Sequence, residues 1–231
     1  MQDFELIKER DLVDNPSARV AVCLCLDVSS SMSDYNAIDE LNEGIALFYE
    51  AVKNDEEALY AAEVCIVTFG GNDEAKCEVD FSTLSIQGKP PVLTAYGNTP
   101  MGEGVRLALD LLDRRKQEYK DKGVDYYQPW LVLMSDGQPN GDAEVLEDSI
   151  KRTRDLVENR KLSLFPIGIG ASADMEALAR FSPIRPPLRL KGLNFKEFFE
   201  WLSKSVSKVS QSTPGDKVEL DLGGIKAWGE A

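Results

Sequence analysis

The sequence predicts an α/β fold in which a mostly parallel sheet of six strands carries helices on both faces. Two observations predict it. Short apolar segments, several rich in β-branched residues, alternate along the chain with longer segments whose apolar residues recur every three or four positions. Strands that alternate with helices favour parallel pairing, because each helix carries the chain back to the start of the next strand.

The six strands are predicted from the apolar segments and their boundaries. The first, 19–26, is nearly continuous in apolar residues, as expected of a strand buried on both faces. Segment 75–81 alternates polar and apolar residues and follows its predecessor after a short glycine turn, so we expect an antiparallel edge strand there. The other strands are predicted at 63–69, 130–134, 162–169 and 188–190.

The helices are predicted from the three- and four-residue spacing of their apolar residues. Asp142 is predicted to cap one helix, and Asn194, with Glu197 three positions later, is predicted to cap the last. The helices are expected at about 38–52, 105–112, 142–157, 174–181 and 194–209. The inner stripe of the last helix is predicted to consist of Phe195, Phe198, Leu202, Val206 and Val209.

One domain accounts for residues 18–210. Residues 1–17 are predicted to form an N-terminal arm and residues 211–231 a C-terminal tail, which packs on the domain or on a partner. Within the tail, the segment Val218–Leu222 alternates in polarity, and we expect it either to extend a sheet edge or to remain loosely ordered.

The composition excludes several classes of function. The 231 residues carry a formal net charge of −14 without a concentrated basic patch, which argues against nucleic acid and anionic membranes as partners. No run of about 18 apolar residues is present, and the first residues do not resemble an export signal, so a soluble cytoplasmic protein is expected. Histidine is absent, which excludes catalytic pairs of serine or cysteine with histidine.

The four cysteines lack the paired C-x-x-C spacing of common zinc sites. Cys23 and Cys25 lie two residues apart on a predicted strand and should face the same way, whereas Cys65 and Cys77 lie on the next two strands. We expect buried, reduced thiols, with a four-thiolate zinc site as the less favoured alternative.

Five oxygen-bearing residues stand out because each lies beside the end of a strand or in a loop that can reach it. They are Asp27, Ser29, Ser31, Thr99 and Asp136. The carboxyl ends of parallel strands share one edge of a sheet, so these residues can converge there. Oxygen ligands suit Mg²⁺, and neutral hydroxyls would hold such an ion without quenching its charge. Taken singly, each residue is better explained by a hydrogen bond or cap within its loop, but the set of five favours a metal site.

The segment Asp27–Met32, with Thr99 in a later loop and Asp136 after a strand, resembles the metal-ion-dependent adhesion site (MIDAS) of von Willebrand factor type A domains. The resemblance covers about residues 18–210 and implies a doubly wound fold with strand order 3-2-1-4-5-6. Many members of that family have glycine where this chain has Ser30. A serine at this position restricts the backbone of the loop more than glycine would.

The same resemblance implies a role for each of the five residues. Ser29, Ser31 and Thr99 would bind Mg²⁺ or Mn²⁺ directly, and Asp27 and Asp136 would act mainly through water. An Asp or Glu side chain of a partner protein would complete the coordination of the metal.

Other parts of the sequence resemble the bacterial TerY/YegL group of cytosolic A-domain proteins. Members of that group are associated with tellurite and stress resistance, and some are encoded beside protein kinases and phosphatases. The resemblance therefore implies a protein partner, with a kinase or a phosphatase among the candidates. The matching segments are Asp39–Gly44, Val67–Gly70, Asn98–Met101, Tyr127–Trp130 and Phe199–Ser203.

These observations predict a non-enzymatic, metal-dependent module for protein–protein interaction. The alternative is a metal-dependent hydrolase or phosphatase that uses Asp27 or Asp136 as a base. A third hypothesis is a structural A domain whose metal site stays empty.

Overall fold

The computed structural model describes residues 2–71, 74–220 and 229–230, with side chains from residue 6 onward. The described residues form one mixed sheet with helices on both faces, so the predicted fold class is confirmed. The strands are β1 Val20–Val28, β2 Ala62–Gly70, β3 Glu74–Val79, β4 Trp130–Ser135, β5 Ser163–Ile169, β6 Leu188–Leu190 and β7 Gly229–Glu230. The helices are α1 Gln2–Asp14, α2 Ala37–Lys53, α3 Ala58–Ala61, α4 Met101–Lys122, α5 Ala143–Glu158, α6 Met175–Phe181 and α7 Phe195–Ser210, and a 3₁₀ segment covers Ser30–Asn36.

The strand order is β3-β2-β1-β4-β5-β6-β7. The expected order 3-2-1-4-5-6 and the antiparallel edge strand β3 are confirmed. The sheet has one strand more than predicted, because β7 pairs antiparallel with β6 at the opposite edge. Two residues are too few to carry an alternating pattern, so β7 could not be predicted from the sequence.

The central strands β1, β2 and β4 are buried along their whole length. Successive side chains of a strand point to opposite faces, which divides the core into two layers. On β1, Val22 and Leu24 belong to the layer that includes α2 and α7, whereas Cys23 and Cys25 belong to the layer that includes α4. The nearly continuous apolar segments are therefore explained by helices that cover both faces of the sheet.

Helix α7 packs against α2 with its aromatic face. All five residues of its predicted inner stripe are buried, as expected. A β-carbon added to Gly44 of α2 would lie 2.6 Å from Cδ2 of Phe199, so the two helices approach closely only because residue 44 lacks a side chain.

The two predicted helix caps have different outcomes. Asp142 accepts hydrogen bonds from the backbone amides of Glu144 (2.8 Å) and Val145 (3.1 Å), so it caps α5 as predicted. Asn194 directly precedes α7, but its side chain makes no capping hydrogen bond, and that prediction was wrong. Its ψ of 49° lies outside the extended region that lets a cap side chain reach the first amides of a helix.

Asp55 connects α3 to α7. Its carboxylate accepts hydrogen bonds from the amides of Glu57 (3.1 Å) and Ala58 (2.8 Å) and from the hydroxyl of Ser207. Partial burial raises the pKa of Asp55, but the three hydrogen bonds favour the ionised form and lower it, with a net fall below the ordinary 3.8.

A buried ionic cluster ties the start of the sheet to α4. Glu63 is fully buried, and its carboxylate accepts hydrogen bonds from Nε (2.6 Å) and Nη2 (2.8 Å) of Arg115, Nε of Arg19 (3.2 Å) and the hydroxyl of Tyr119 (2.6 Å). Arg19 is also fully buried. From the sequence, Glu63 is predictable only as the first residue of a strand, because pairing partners 44 and 52 positions away leave no local pattern.

The segments that flank the main sheet are partly described. The N-terminal arm contains α1, whose Leu12 is buried against the α4 side of the core. In the C-terminal tail, Val218 and Leu220 pack on the core without forming a strand, and the end of the predicted alternating segment at Leu222 lies outside the described residues. The boundaries at residues 18 and 210 remain predictions.

Among the residues described, no helix combines the length and the apolar character needed to cross a bilayer.

Candidate metal centre

The five predicted residues are positioned by two neighbouring strands and one loop. Strands β1 and β4 are parallel, and Leu26 lies in register with Met134. Asp27 therefore lies near the carboxyl end of β1, close to where Asp136 follows the end of β4. The convergence that strand order predicts is present in the structure.

The loop that carries Thr99 is held against the end of β1 by backbone hydrogen bonds. The amide of Tyr96 donates to the carbonyl of Val28 (2.8 Å), and the amide of Ser30 donates to the carbonyl of Gly97 (3.0 Å). Gly97 has a φ of 78°, and a β-carbon there would lie only 1.6 Å from the carbonyl oxygen of Gly71. Only glycine fits this crossing, which the sequence analysis did not anticipate.

The hydroxyls of Ser29 and Ser31 and the carboxylate of Asp136 form a continuous chain of oxygens. Ser29 Oγ lies 3.1 Å from Ser31 Oγ, and Ser31 Oγ donates a hydrogen bond to Asp136 Oδ1 (2.7 Å). Two oxygens that each lie about 2.1 Å from one octahedral cation, at right angles, are roughly 3.0 Å apart. The spacing of the two serine hydroxyls therefore fits adjacent ligands of one ion.

Thr99 faces the same point from the third segment. A β-carbon added to Gly137 would lie 3.8 Å from Thr99 Oγ1 and 3.9 Å from Ser31 Oγ, so both hydroxyls border the same space. The backbone of Thr99 is fixed by the side chain of Asn140, whose Oδ1 accepts a hydrogen bond from the Thr99 amide (2.7 Å). Asn140 was missed by the sequence analysis, because a single asparagine in a loop carries no distinctive spacing.

Asp27 is the most deeply buried acid of the site and is fully inaccessible to solvent. Its Oδ1 accepts a hydrogen bond from the amide of Ser29 (2.8 Å), and its Oδ2 accepts one from the hydroxyl of Ser135 (2.5 Å). Burial raises the pKa of Asp27 to about 6, although these hydrogen bonds oppose the shift and the nearby charge of Asp136 adds to it.

Asp136 is also buried, at 6% exposure, and burial raises its pKa, while the hydrogen bond from Ser31 lowers it. Two neighbouring carboxyl groups in a desolvated position are costly to ionise together. A divalent cation beside them would favour the ionised form of both.

The site opens to solvent on one side. Ser31 is exposed, and two exposed tyrosines, Tyr35 (91%) and Tyr96 (55%), lie in the same loops. Tyr35 and Asn36 both have positive φ angles, 53° and 62°, which non-glycine residues rarely adopt. An incoming group could therefore reach the Ser31 hydroxyl directly from solvent.

The family model for the von Willebrand factor type A domain matches residues 21–197. The chain belongs to the von Willebrand factor type A domain family. A comparison with curated proteins found no match.

Solved structures with the same fold include the pilus adhesin SpaC from Lactobacillus rhamnosus GG, with a TM-score of 0.64 and 12% identity over 83% of this chain and 31% of that one. A mussel byssus protein, proximal thread matrix protein 1 with a zinc-occupied MIDAS motif, has a TM-score of 0.55 and 15% identity over 83% and 48% of the two chains. Manganese-loaded Plasmodium vivax TRAP protein has a TM-score of 0.50 and 20% identity over 73% and 64%. This type A domain chain spans between about a third and two thirds of the length of these proteins, and at such identities the likeness shows the fold alone.

Proposed function

We propose that this type A domain is a metal-dependent protein-binding module that holds Mg²⁺ or Mn²⁺ in a MIDAS and captures an acidic side chain of a partner. Ser29, Ser31 and Thr99 would bind the ion directly, with Asp27 and Asp136 acting mainly through water. The observation that supports this most strongly is the 3.1 Å spacing of the two serine hydroxyls, beside the buried carboxylate of Asp136.

The identity of the ion follows from the donor atoms. All five residues offer oxygen, which favours hard cations such as Mg²⁺ and Mn²⁺ over ions that prefer sulfur. One neighbour with a zinc-occupied MIDAS and another that is manganese-loaded support a divalent ion in this chain. When bound, the ion would supply an electrophilic position for a partner's Asp or Glu.

The residues of this chain would prepare that position before the partner arrives. Ser135 and the amide of Ser29 hold Asp27 in one orientation, so its charge is directed toward the serine hydroxyls. Asn140 holds the loop of Thr99. Such outer contacts reduce the reorganisation needed on binding and commonly affect metal affinity about 10- to 100-fold.

The finer assignment rests on the TerY/YegL-like segments. It places the chain in a bacterial, cytoplasmic stress or tellurite-resistance assembly, with a protein kinase or phosphatase as the candidate partner. The acidic net charge of −14 supports a protein rather than nucleic acid or a membrane as that partner.

Titration calorimetry with Mn²⁺, on variants in which one of two adjacent serines is replaced, tests the metal site. Ser31→Ala should lower the Mn²⁺ affinity at least tenfold, whereas Ser30→Ala, an equal change in the same loop, should leave it unchanged. Asp27→Ala should also lower the affinity at least tenfold without unfolding the domain. Equal affinities for the wild type and Ser31→Ala would contradict the proposal.

Two further assays separate binding from catalysis. Affinity capture from the native host should retain a partner in Mg²⁺ and lose it in chelator, and a Ser31→Ala bait should capture none. Generic phosphoesters with Mg²⁺ should not be hydrolysed, and turnover that Asp136→Asn abolishes would establish the hydrolase alternative instead.

A further inference from the structure

Three of the four cysteines form a row across adjacent strands, on the side of the sheet that α4 covers. Cys23 of β1 lies in register with Cys65 of β2, and both are fully buried. Cys77 of β3 is half-buried at the edge of the sheet. Cys65 lies between the other two, with Cys23 on β1 to one side and Cys77 on β3 to the other.

A bulge between β2 and β3 brings Cys77 to this face. Ile66 pairs with Val79, but the next residue, Val67, pairs with Cys77, so Glu78 is an extra residue. Without the bulge the side chain of Cys77 would point to the opposite face, because a shift of one residue reverses the orientation of a strand's side chains. Asp80 directly follows Val79, the last residue of β3.

The result is a compact set of metal-ligating atoms. Cys65 Sγ, Cys77 Sγ and a carboxylate oxygen of Asp80 all lie within 4.8 Å of one another. In a tetrahedral zinc site, with Zn–S distances of about 2.3 Å, ligand atoms are roughly 3.5 to 3.8 Å apart. A contraction of about an ångström at most separates the described geometry from a bound one.

We propose that Cys65, Cys77 and Asp80 form a second metal site, selective for Zn²⁺ and distinct from the MIDAS. Cys23, at the other end of the row, lies outside this group, so a water molecule or another small ligand would take the fourth position. Sulfur ligands distinguish this site from the all-oxygen MIDAS, since thiolates select zinc and carboxylates with hydroxyls select magnesium or manganese.

The surrounding charges fit an anionic zinc centre. Two thiolates and one carboxylate carry three negative charges, and Zn²⁺ leaves one of them uncompensated. Arg114 lies 2.6 Å from Asp80 Oδ1 and Lys8 lies 3.4 Å from Oδ2, so two cations are in place to balance it. The side chain of Asp80 is 39% exposed, which provides a path from solvent to the buried thiols.

Cobalt titration tests the site, because thiolate ligands give bound Co²⁺ a charge-transfer absorption that oxygen ligands do not. The chelator-treated full chain, kept reduced with a phosphine, should develop this absorption with one equivalent of Co²⁺ and lose it when Zn²⁺ is added. Cys77→Ser should weaken the thiolate absorption, because one of two thiolate ligands is lost, and lower the Zn²⁺ affinity at least tenfold. Asp80→Asn should lower the Zn²⁺ affinity while leaving a weaker thiolate absorption.

Two controls make the result independent of folding and of the first site. Cys25→Ala removes a buried thiol of β1 that lies outside the proposed ligand set, and it should retain the absorption. Asp136→Ala should also retain it, because that residue belongs to the MIDAS. Wild-type protein without thiolate absorption, or Cys77→Ser with the wild-type Zn²⁺ affinity, would overturn the proposal while leaving the MIDAS untouched.

Discussion

Replacement of Glu63 by glutamine should strongly destabilise the fold. The change is nearly isosteric, but it removes a negative charge. The carboxylate of Glu63 lies between the guanidinium groups of Arg19 and Arg115 and pairs with both. The new amide also turns one acceptor oxygen into a donor, which then faces N–H and O–H donors. Arg19 then keeps the more distant Asp11 (3.9 Å) and Arg115 keeps Glu118 (2.5 Å), and both of these acids are more exposed than Glu63.

The expected magnitude follows from burial. Glu63 and Arg19 have 0% exposure and Arg115 has 6%, so solvent cannot replace the lost interaction. Removing one partner of a buried ion pair commonly costs about 3 to 5 kcal/mol. For a chain of this size, a change of that order lowers the melting temperature by roughly 6 to 20 °C.

Urea and thermal unfolding followed by circular dichroism, at neutral pH, will measure the effect. Glu118→Gln is the matched control, because Glu118 also contacts Arg115 (2.5 Å) but its side chain is 40% exposed. The control should cost less than about 1 kcal/mol. If Glu63→Gln were within 1 kcal/mol of the wild type, the cluster would not stabilise the fold in the manner argued.

Three further predictions concern helices. Asp142→Ala should lower the free energy of unfolding by about 0.5 to 2 kcal/mol, because the cap of α5 is lost. Asn194→Ala should change it by less than about 0.5 kcal/mol, because the Asn194 side chain makes no capping hydrogen bond. Urea unfolding that ranks the two variants in the opposite order would refute this. Gly44→Ala should destabilise by about 1 to 3 kcal/mol in the same assay, since the added carbon meets Phe199 at 2.6 Å, and a gain in stability would show that the ring moves aside freely. In the folded protein the pKa of Asp55 lies below its ordinary value of 3.8, so the ionised carboxylate stabilises the fold above about pH 4, and this contribution is lost as the pH falls through the folded pKa. The difference in unfolding free energy between the wild type and Asp55→Asn should therefore shrink on acidification. A difference that widens below pH 4 would contradict this prediction.

The sequence allowed the residues of the candidate metal centre to be grouped but did not predict their supporting contacts. Asp27, Ser31 and Asp136 could be grouped because polar residues at the carboxyl ends of parallel strands must share one edge of a sheet. Two supporting contacts could not be predicted, because each depends on how two loops pack together. They are the close approach of Gly97 to Gly71 and the hydrogen bond from the Thr99 amide to Asn140.

The thiols show the same division on a smaller scale. The two-residue spacing of Cys23 and Cys25 was enough to place both on one face of β1, and the structure confirms it. The approach of Cys77 to Cys65 could not be anticipated, because it depends on a single extra residue in the pairing of β2 with β3. A bulge leaves the alternating pattern of an edge strand almost unchanged.

By itself, the sequence determined the α/β class, the positions of the six longer strands, the buried face of α7 and the group of oxygens at the strand ends. These features follow from local periodicity and from the rule that the carboxyl ends of parallel strands share one edge of a sheet. Only the tertiary structure decided that Glu63 pairs with Arg19 and with Arg115 of α4, and that Asn194 does not cap α7. The pairing of β7 with β6 and the row of three thiols were also decided by the tertiary structure. Each of these depends on the register and approach of segments distant along the chain, which local sequence does not encode.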